Sequence, residues 1–500
     1  MHVHLIGVAG TGMGSLAVLF RSAGHRVSGS DVRFDPPMGD VLRTAGVECK
    51  EGYSAENLAP AIDLVVVGNV IRKDNAEAVA AETRGLRRSS MSLALREQFL
   101  LRRKPLVVAG THGKTTTSSM CAWALYEAGL EPGYFIGGVS KSLPDSAALG
   151  RRGSTLHASS RSAGASPFVV EGDEYDAVYW HKEPKFLDYI GIGEDDVAIV
   201  TSVEHDHIDI YPTEAAYTAT FAELARRVPR SGLLVTHAAD ARAVAASRES
   251  TARLAYYALA GDDTGDANPA WVGAPVAVDD QGRQPFDLYA GGMSCGRFVL
   301  SVPGHHNVRN AVATIAACAE GFDVKIPDLR ASLATFAGVR RRQDLLSDAD
   351  GVHLYDDFAH HPTAVDETLR ALRSKHPTGR LWAVFEPRSA TACRSLHQAA
   401  YARAFTAASH VILAPLGRTG LPTEDTLDLE RLAKDLGPKA IVAPSAGAIV
   451  ERLAREAGPG DTVAILSNGA FGGVPKRLVE AFEERSRVAE RDGRAHHGSQ

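Results

Sequence analysis

The sequence predicts an α/β chain of three domains, and three observations carry that prediction. Its 500 residues are too many for one hydrophobic core and suggest about three domains at ~100–200 residues each. Short apolar runs alternate with helix-like segments in three separate blocks, the pattern of parallel sheets crossed by helices. Two glycine-rich stretches, at residues 7–14 and 110–117, each follow an apolar run and open a helix. The expected architecture is a Rossmann-like N-terminal sheet, a central P-loop ATPase-type parallel sheet with a small β region, and a Rossmann-like C-terminal sheet.

Taken in order, Val3–Ile6 reads as a strand, GVAGTGMGS as a turn and LAVLFRSAG as a helix. HRVSGSD, ending at Asp31, and DLVVVGNV (Asp63–Val70) are the next strands. The basic LRRKP (Leu101–Pro105) reads as a linker, closing a first domain over residues 1–104. A second domain, 105–326, opens with LVVAGTHGKTTTSSMCAWALYEAG and continues with strands in Pro167–Asp176 and Val197–Tyr211. Between them, residues 150–166 are rich in Arg, Ser, Gly and Ala and read as a mobile surface insertion. Ser231–Val302 reads as the small β region and Gly304–Gly321 as an Ala-rich helix. The third domain, 327–486, has strand candidates VHLYDDF, RLWAVFEP, HVILAPL and TVAILSNG. The polar residues 487–500 read as a flexible tail.

Composition narrows the partners. Hydrophobic residues are 45% and charged residues 23%, a folded rather than disordered composition. Lys plus Arg is 54 against 60 for Asp plus Glu, a net charge of -6, so a nucleic-acid partner is not expected. No stretch approaches the ~18 apolar residues of a membrane span. MHVHLIG has no basic n-region, so no signal peptide is expected. Cys49, Cys121, Cys295, Cys318 and Cys393 lie far apart without a CxxC pair, which argues against disulfides or zinc and for a reducing cytoplasm. Nothing calls for an obligate protein partner.

Gly110–Thr117, GTHGKTTT, has the logic of a phosphate loop. Glycines turn backbone N–H groups toward phosphates, the helix start adds positive potential, Lys114 neutralises β/γ oxygens, and the Thr115 hydroxyl suits Mg²⁺. Val108 stands where the full G-x-x-x-x-G-K-[ST] pattern has its first glycine, and a plain glycine turn with capping threonines is the alternative. Further ligands for an Mg-nucleotide would come from neighbouring strand ends. Glu171, Asp173 and Glu174 end one strand candidate, and His205, Asp206, His207 and Asp209 another. The N-terminal Gly7, Gly10, Gly12 and Gly14, with Asp31 about 20 residues on, suit a pyrophosphate of NAD(H) or of a nucleotide sugar, or close strand–helix packing alone. A second, ATP-type loop a hundred residues later weighs against a dehydrogenase.

GTHGKTTT, EGDEYD, EHDHIDIY, GHHNVRN and DDFAHHPT occur in this order and together resemble the Mur ligases, ATP-dependent amide-forming enzymes of bacterial peptidoglycan metabolism. The resemblance covers roughly residues 2 to 480. It implies ATP and Mg²⁺ as cofactors and a cytoplasmic, bacterial setting. DPPM (Asp35–Met38), PKFLDY (Pro184–Tyr189), EPRSAT (Glu386–Thr391) and SNGAFGG (Ser467–Gly473) resemble the branch that joins UDP-N-acetylmuramate to the recycled murein tripeptide L-Ala-γ-D-Glu-meso-diaminopimelate. The L-alanine-adding branch typically has EADESD and PHRYTRT-like segments instead. That branch is the nearer alternative, and a catalytically inactive nucleotide-binding regulator is the alternative from another class.

The resemblance also implies residue roles. Gly110, Thr111, Gly113, Lys114, Thr115 and Thr116 would cradle ATP, with Asn307 and Asn310 beside the adenine and Asp357 and His360 on the ATP side of the third domain. Thr115, Glu171 and His207 would hold Mg²⁺, and Arg342 would reach the phosphates, giving a catalytic set of Lys114, Glu171, His207 and Arg342. Gly10, Thr11, Gly12, Met13, Asp31, Asn69 and His112 would take the UDP-sugar, and Arg388 and Ser389 the peptide. Ala222 stands where some relatives carry a carbamylated lysine, so no such modification is expected.

Overall fold

The computed structural model describes residues 1–150, 165–418 and 425–497, and contains three α/β sheets in chain order. The proposed insertion at 150–166 falls, but for its end residues, outside them. In the first sheet, β1 (His2–Ile6), β2 (Arg26–Asp31), β3 (Glu48–Glu51), β4 (Leu64–Val67) and β5 (Arg88–Ser90) run parallel in the order β3-β2-β1-β4-β5. This is a doubly wound sheet whose order reverses beside β1, so the glycine turn at Gly7–Gly10 opens at the carboxyl edge, at the switch point. Leu5 and Val66, at its centre, are fully buried.

The second sheet has ten strands. They are β6 (Lys104–Ala109), β7 (Gly133–Phe135), β8 (Ala147–Ala148), β9 (Pro167–Glu171), β12 (Val197–Val200), β13 (Leu233–His237), β14 (Arg253–Leu259), β15 (Trp271–Pro275), β16 (Gln284–Ala290) and β17 (Met293–Leu300). A separate hairpin joins β10 (Asp176–Val178) and β11 (His181–Pro184). The order is β17-β16-β15-β14-β13-β12-β6-β9-β7-β8, parallel from β15 through to β7. The β region read at 231–302 is therefore part of the nucleotide-loop sheet: β13, β14 and β15 continue it in parallel, and only β16 and β17 turn antiparallel. Helix His305–Phe322 packs along this extension, and Val308, Val312 and Ile315 supply its fully buried face.

The third sheet, β18 (Asp344–Ser347), β19 (His353–Asp357), β20 (Leu381–Phe385), β21 (His410–Leu413), β22 (Ala440–Val442) and β23 (Thr462–Leu466), has the order β18-β19-β23-β20-β21-β22 and is parallel except for β18. Of the tail expected to fray from residue 487, the part up to His497 continues the last helix, Val474–His497. The Ala- and Arg-containing residues there are adequate helix formers without a proline to stop them.

Candidate active site

The phosphate loop connects β6 to the helix Lys114–Glu127, and its shape is set by two left-handed glycines, Gly110 (φ +130°) and Gly113 (φ +81°). A side chain at Gly110 would collide with the Thr201 hydroxyl, and a Cβ at Gly113 would sit 2.5 Å from Asn310 Oδ1. The end of β12 braces the loop: Thr111 N donates to Ser202 O at 2.9 Å, His112 N to Ser202 Oγ at 3.0 Å, and Thr201 Oγ1 to His112 O at 2.5 Å. Lys114 Nζ donates to Gly110 O and to Glu174 Oε1, both at 2.7 Å, and more loosely to Thr111 O at 3.4 Å. Burial alone would lower the Lys114 pKa, but Glu174 by charge and hydrogen bond, with Glu171 and Asp173, holds it above the ordinary lysine value.

Glu171, the last residue of β9, faces the loop from the neighbouring strand. Its Oε1 accepts from Thr115 Oγ1 at 2.8 Å and its Oε2 from Gly137 N at 2.7 Å. Burial pushes its pKa up, more than Thr115, Lys114 and Gly137 bring it down. An alcohol and a carboxylate oxygen 2.8 Å apart match the edge of an octahedron with bonds of about 2.0–2.1 Å, so this pair fits a hard divalent cation such as Mg²⁺. His207 lies beyond β12 in a left-handed conformation (φ +52°), its ring 4.5 Å from that of Tyr175. Such strain in a non-glycine residue gathers at functional sites. His205 instead turns its Nε2 onto Tyr211 O at 2.8 Å.

PKFLDY forms the floor beneath this cluster. Lys185, 5% exposed, places Nζ 2.6 Å from Asp173 Oδ2, while Asp188 accepts from Ser92 Oγ at 2.6 Å and its carbonyl from Arg96 Nη1 at 3.0 Å. Burial would raise the Asp173 pKa, and Lys185 more than reverses this. The segment thus links the first domain to the acidic loop beside Lys114. Lys185→Met leaves Asp173 unpaired beside Lys114 and is expected to weaken Mg²⁺-ATP affinity by about tenfold, with Lys185→Arg restoring most of it. Nucleotide titration by fluorescence measures this; a lower melting temperature with unchanged affinity would leave Lys185 a structural role only.

All three domains wall one cleft of about 1710 Å³. The first contributes Gly10, Thr11 and Asp31; the second Thr111 to Thr116, Glu171, His207, Asn307 and Asn310; the third Arg342, Asp357, His360 and Ser389. Asp31 Oδ2 accepts from Ala9 N at 2.8 Å, fixing the first glycine turn. Asn307 and Asn310 are buried behind the phosphate loop. Arg342 stacks 4.9 Å over the Phe358 ring. Asp357 accepts from Gln343 N and Ala359 N, each at 2.7 Å, and burial raises its pKa. Burial likewise lowers the pKa of His360, whose Nδ1 meets Phe358 O at 3.0 Å. The third domain is docked on the second through Arg309–Glu367 at 2.8 Å and Thr363 Oγ1 to Glu204 Oε2 at 2.7 Å.

Other expected site residues lie outside the cleft wall. Met13 is buried in the first core, and a Cβ on Gly12 would come within 2.9 Å of Met91 sulfur, so both serve helix packing. Asn69 lines a separate surface pocket with Lys73, Tyr179 and Lys182. Gly110 shapes the loop from behind. Arg388 does not line the cleft; it leans over Gly417 and Gly469 with Nη1 3.8 Å from Glu386 Oε1. Glu174 as the partner of Lys114, Lys185 as that of Asp173, and Glu204 with His361 and His397 escaped the sequence reading. Glu174, Lys185 and Glu204 stand inside quoted motifs, but their partners are distant along the chain.

Three α/β units closing on one phosphate-loop cleft define a multidomain nucleotide-dependent enzyme. Family models match in order along the chain: "Mur ligase family, catalytic domain" at residues 2–103, "Mur ligase middle domain" at 108–318 and "Mur ligase, glutamate ligase domain" at 341–469. The UDP-N-acetylmuramate–L-alanyl-γ-D-glutamyl-meso-2,6-diaminoheptandioate ligase of Escherichia coli K12 is 32% identical over 494 residues, 98% of this chain and 100% of that protein. The UDP-N-acetylmuramate–L-alanine ligase of Roseiflexus sp. RS-1 is 32% identical over 509 residues, 97% of this chain and 100% of that protein. A crystal structure of a murein peptide ligase from Psychrobacter arcticus 273-4 is similar with a TM-score of 0.69 and 33% identity, covering 97% of this chain and 99% of that one. The chain belongs to the Mur ligase family of ATP-dependent ligases.

Proposed function

We propose that the protein joins UDP-N-acetylmuramate to the murein tripeptide L-Ala-γ-D-Glu-meso-diaminopimelate, at the expense of ATP. The carrying observation is the shared cleft, in which Thr11 and Asp31 of one domain, Lys114 and Glu171 of the next, and Arg342 and Ser389 of the last face a common volume. A regulator that only bound nucleotide would have no use for three converging walls. The division of labour follows: residues 1–104 hold the UDP-sugar, 105–326 hold ATP, and 327–486 admit the peptide.

A carboxylate resists an amine because it is anionic and lacks a leaving group. In the proposed reaction a lactyl carboxylate oxygen attacks the γ-phosphorus, the bond to ADP breaks, and an acyl phosphate forms. The peptide amine nitrogen then attacks the acyl carbon, phosphate leaves, and the amine loses a proton. The first step brings two anions together, so Lys114 and Arg342 act by neutralising and aligning charge. Thr115, Glu171 and His207 would hold Mg²⁺, which supplies charge stabilisation of the phosphates when bound. Ser389, in the cleft wall, would contact the peptide. Arg388 reaches a peptide carboxylate in this proposal only by swinging from Gly469. A bacterial cytoplasmic setting fits ATP and a UDP-sugar as substrates, and no helix among the described residues is long and apolar enough to cross a membrane.

The tripeptide, rather than free L-alanine, is favoured by PKFLDY and by EPRSAT at the end of β20, on the wall where an amine would enter. The test measures ADP release with UDP-N-acetylmuramate and either tripeptide or L-alanine in competition. Release should depend on tripeptide; release with L-alanine alone would assign the protein to the alanine-adding branch, and no release with either would favour the regulator.

A further inference from the structure

We propose that His112, Glu204 and His361 form a binding site for one divalent transition ion of the Zn²⁺ class, bridging the second and third domains. His112 Nε2 lies 3.6 Å and His361 Nδ1 3.5 Å from the same oxygen, Glu204 Oε2, and all three ligand atoms fall within 4.8 Å of one another. These separations exceed the ~2.7–2.9 Å of charge-assisted hydrogen bonds. They approach the edge, roughly 3.3 Å, of a tetrahedron with metal–ligand bonds of about 2.0–2.1 Å.

The surroundings are those of a ligand set short of a cation. Among the described residues His112 Nε2 is buried without a hydrogen-bond partner, and so is Nε2 of His397, whose ring centre is 4.6 Å from that of His361. The His361 Nδ1 is otherwise met, among the described residues, by Thr363 N alone, at a long 3.4 Å. Thr363 Oγ1, donating to Glu204 Oε2 at 2.7 Å, orients the carboxylate as an outer partner of a metal ligand does.

Two imidazoles and one carboxylate suit Zn²⁺ or Co²⁺, whereas Mg²⁺ prefers oxygen ligands such as the Thr115–Glu171 pair. The two sites therefore select different ions. His112 and Glu204 come from the second domain, and His361 caps the helix Pro362–Lys375 of the third, so an ion here would pin the domains in the docked arrangement.

The test titrates Co²⁺ into the metal-free full-length chain with Mg²⁺ in excess and no substrate, so its result does not depend on the proposed reaction. One equivalent should develop visible d–d absorption, and Zn²⁺ should displace it stoichiometrically and raise the melting temperature. His361→Asn keeps a side-chain cap for the helix, and Glu204→Gln keeps an acceptor for Thr363. Each should weaken Co²⁺ binding at least about tenfold, a shift of ~1.4 kcal/mol. No saturable absorption in the native chain, or undiminished binding in both variants, would overturn the site.

Discussion

Replacing Lys114 with alanine is expected to lower kcat by about a thousandfold and to destabilise the protein as well. The catalytic loss follows from geometry. An ammonium has three donors, and here two are engaged at 2.7 Å, by Gly110 O and Glu174, while the contact to Thr111 O is loose at 3.4 Å. The third donor is the one free to serve β/γ oxygens, from a nitrogen anchored by the other two. A preorganised donor to developing charge is worth ~10²–10³ in rate, and one carrying full positive charge opposite two anions belongs at the upper end. The stability loss has another source. Glu174 is 1% exposed, and removing its cation leaves a buried carboxylate with only a long 3.3 Å bond from Tyr217 OH among the described residues, at about 3–5 kcal/mol. The two effects separate in Lys114→Met with Glu174→Gln, which should recover much of the melting temperature and none of the activity. ADP release and thermal unfolding, measured on the same preparations, provide the check; near-native turnover in Lys114→Ala would remove the loop from the mechanism.

What could be read from the sequence was what local chemistry encodes. The apolar runs at β1, β4, β6, β20 and β23 became strands because short runs rich in Val, Leu and Ile, too brief for a buried helix, suit a strand covered on both faces. Over-reading occurred where an apolar run passed into a site. VAIVTSVEHDHIDIY reads as one strand to Tyr211, yet β12 stops at Val200. From Thr201 onward hydroxyls and amides brace the phosphate loop, and His207 takes a left-handed conformation that no strand tolerates. The edge strand β22, three residues long, carried no such pattern. Within the site, Lys114 and Thr115 were legible from loop chemistry, and Glu171 from its place at a strand end. The pairs Lys114–Glu174, Lys185–Asp173 and Glu204–His361 were not, because spacing along a chain does not encode which domains touch. Arg388 shows the converse: its motif places it beside the active site, yet its guanidinium lies against Gly469, with Nη1 3.8 Å from Glu386 Oε1, outside the cleft wall.

Arg342→Ala should lower kcat by ~10²–10³ while leaving the ATP KM within about threefold of native, since the lost interaction belongs to the transition state. Arg342 sits where the chain passes from the second domain to the third. Its neighbours Arg341 and Gln343 both adopt positive φ, at 58° and 48°, conformations that bulky residues accept only when the surroundings impose them. The surroundings are visible: Arg340 N donates to Val139 O at 2.8 Å, Phe358 N to Arg341 O at 2.8 Å, and Gln343 N to Asp357 at 2.7 Å. These bonds hold a short strained segment against both domains, and the Phe358 ring supports the guanidinium from beneath at 4.9 Å. Burial raises the pKa of Glu171 in the second domain and of Asp357 in the third, and the Arg342 charge offsets part of both rises, so it is felt on both sides of the junction. A half-buried stacking contact of this kind is worth about 0.5–2 kcal/mol, so the melting temperature should move by a few degrees at most. Arg342→Lys keeps the charge without the planar fork and should recover no more than about tenfold. Rapid-quench measurement of acyl-phosphate formation locates the defect: a slowed first step with normal ATP binding supports a role in the transition state, whereas a raised KM at unchanged kcat would make Arg342 a ground-state contact only.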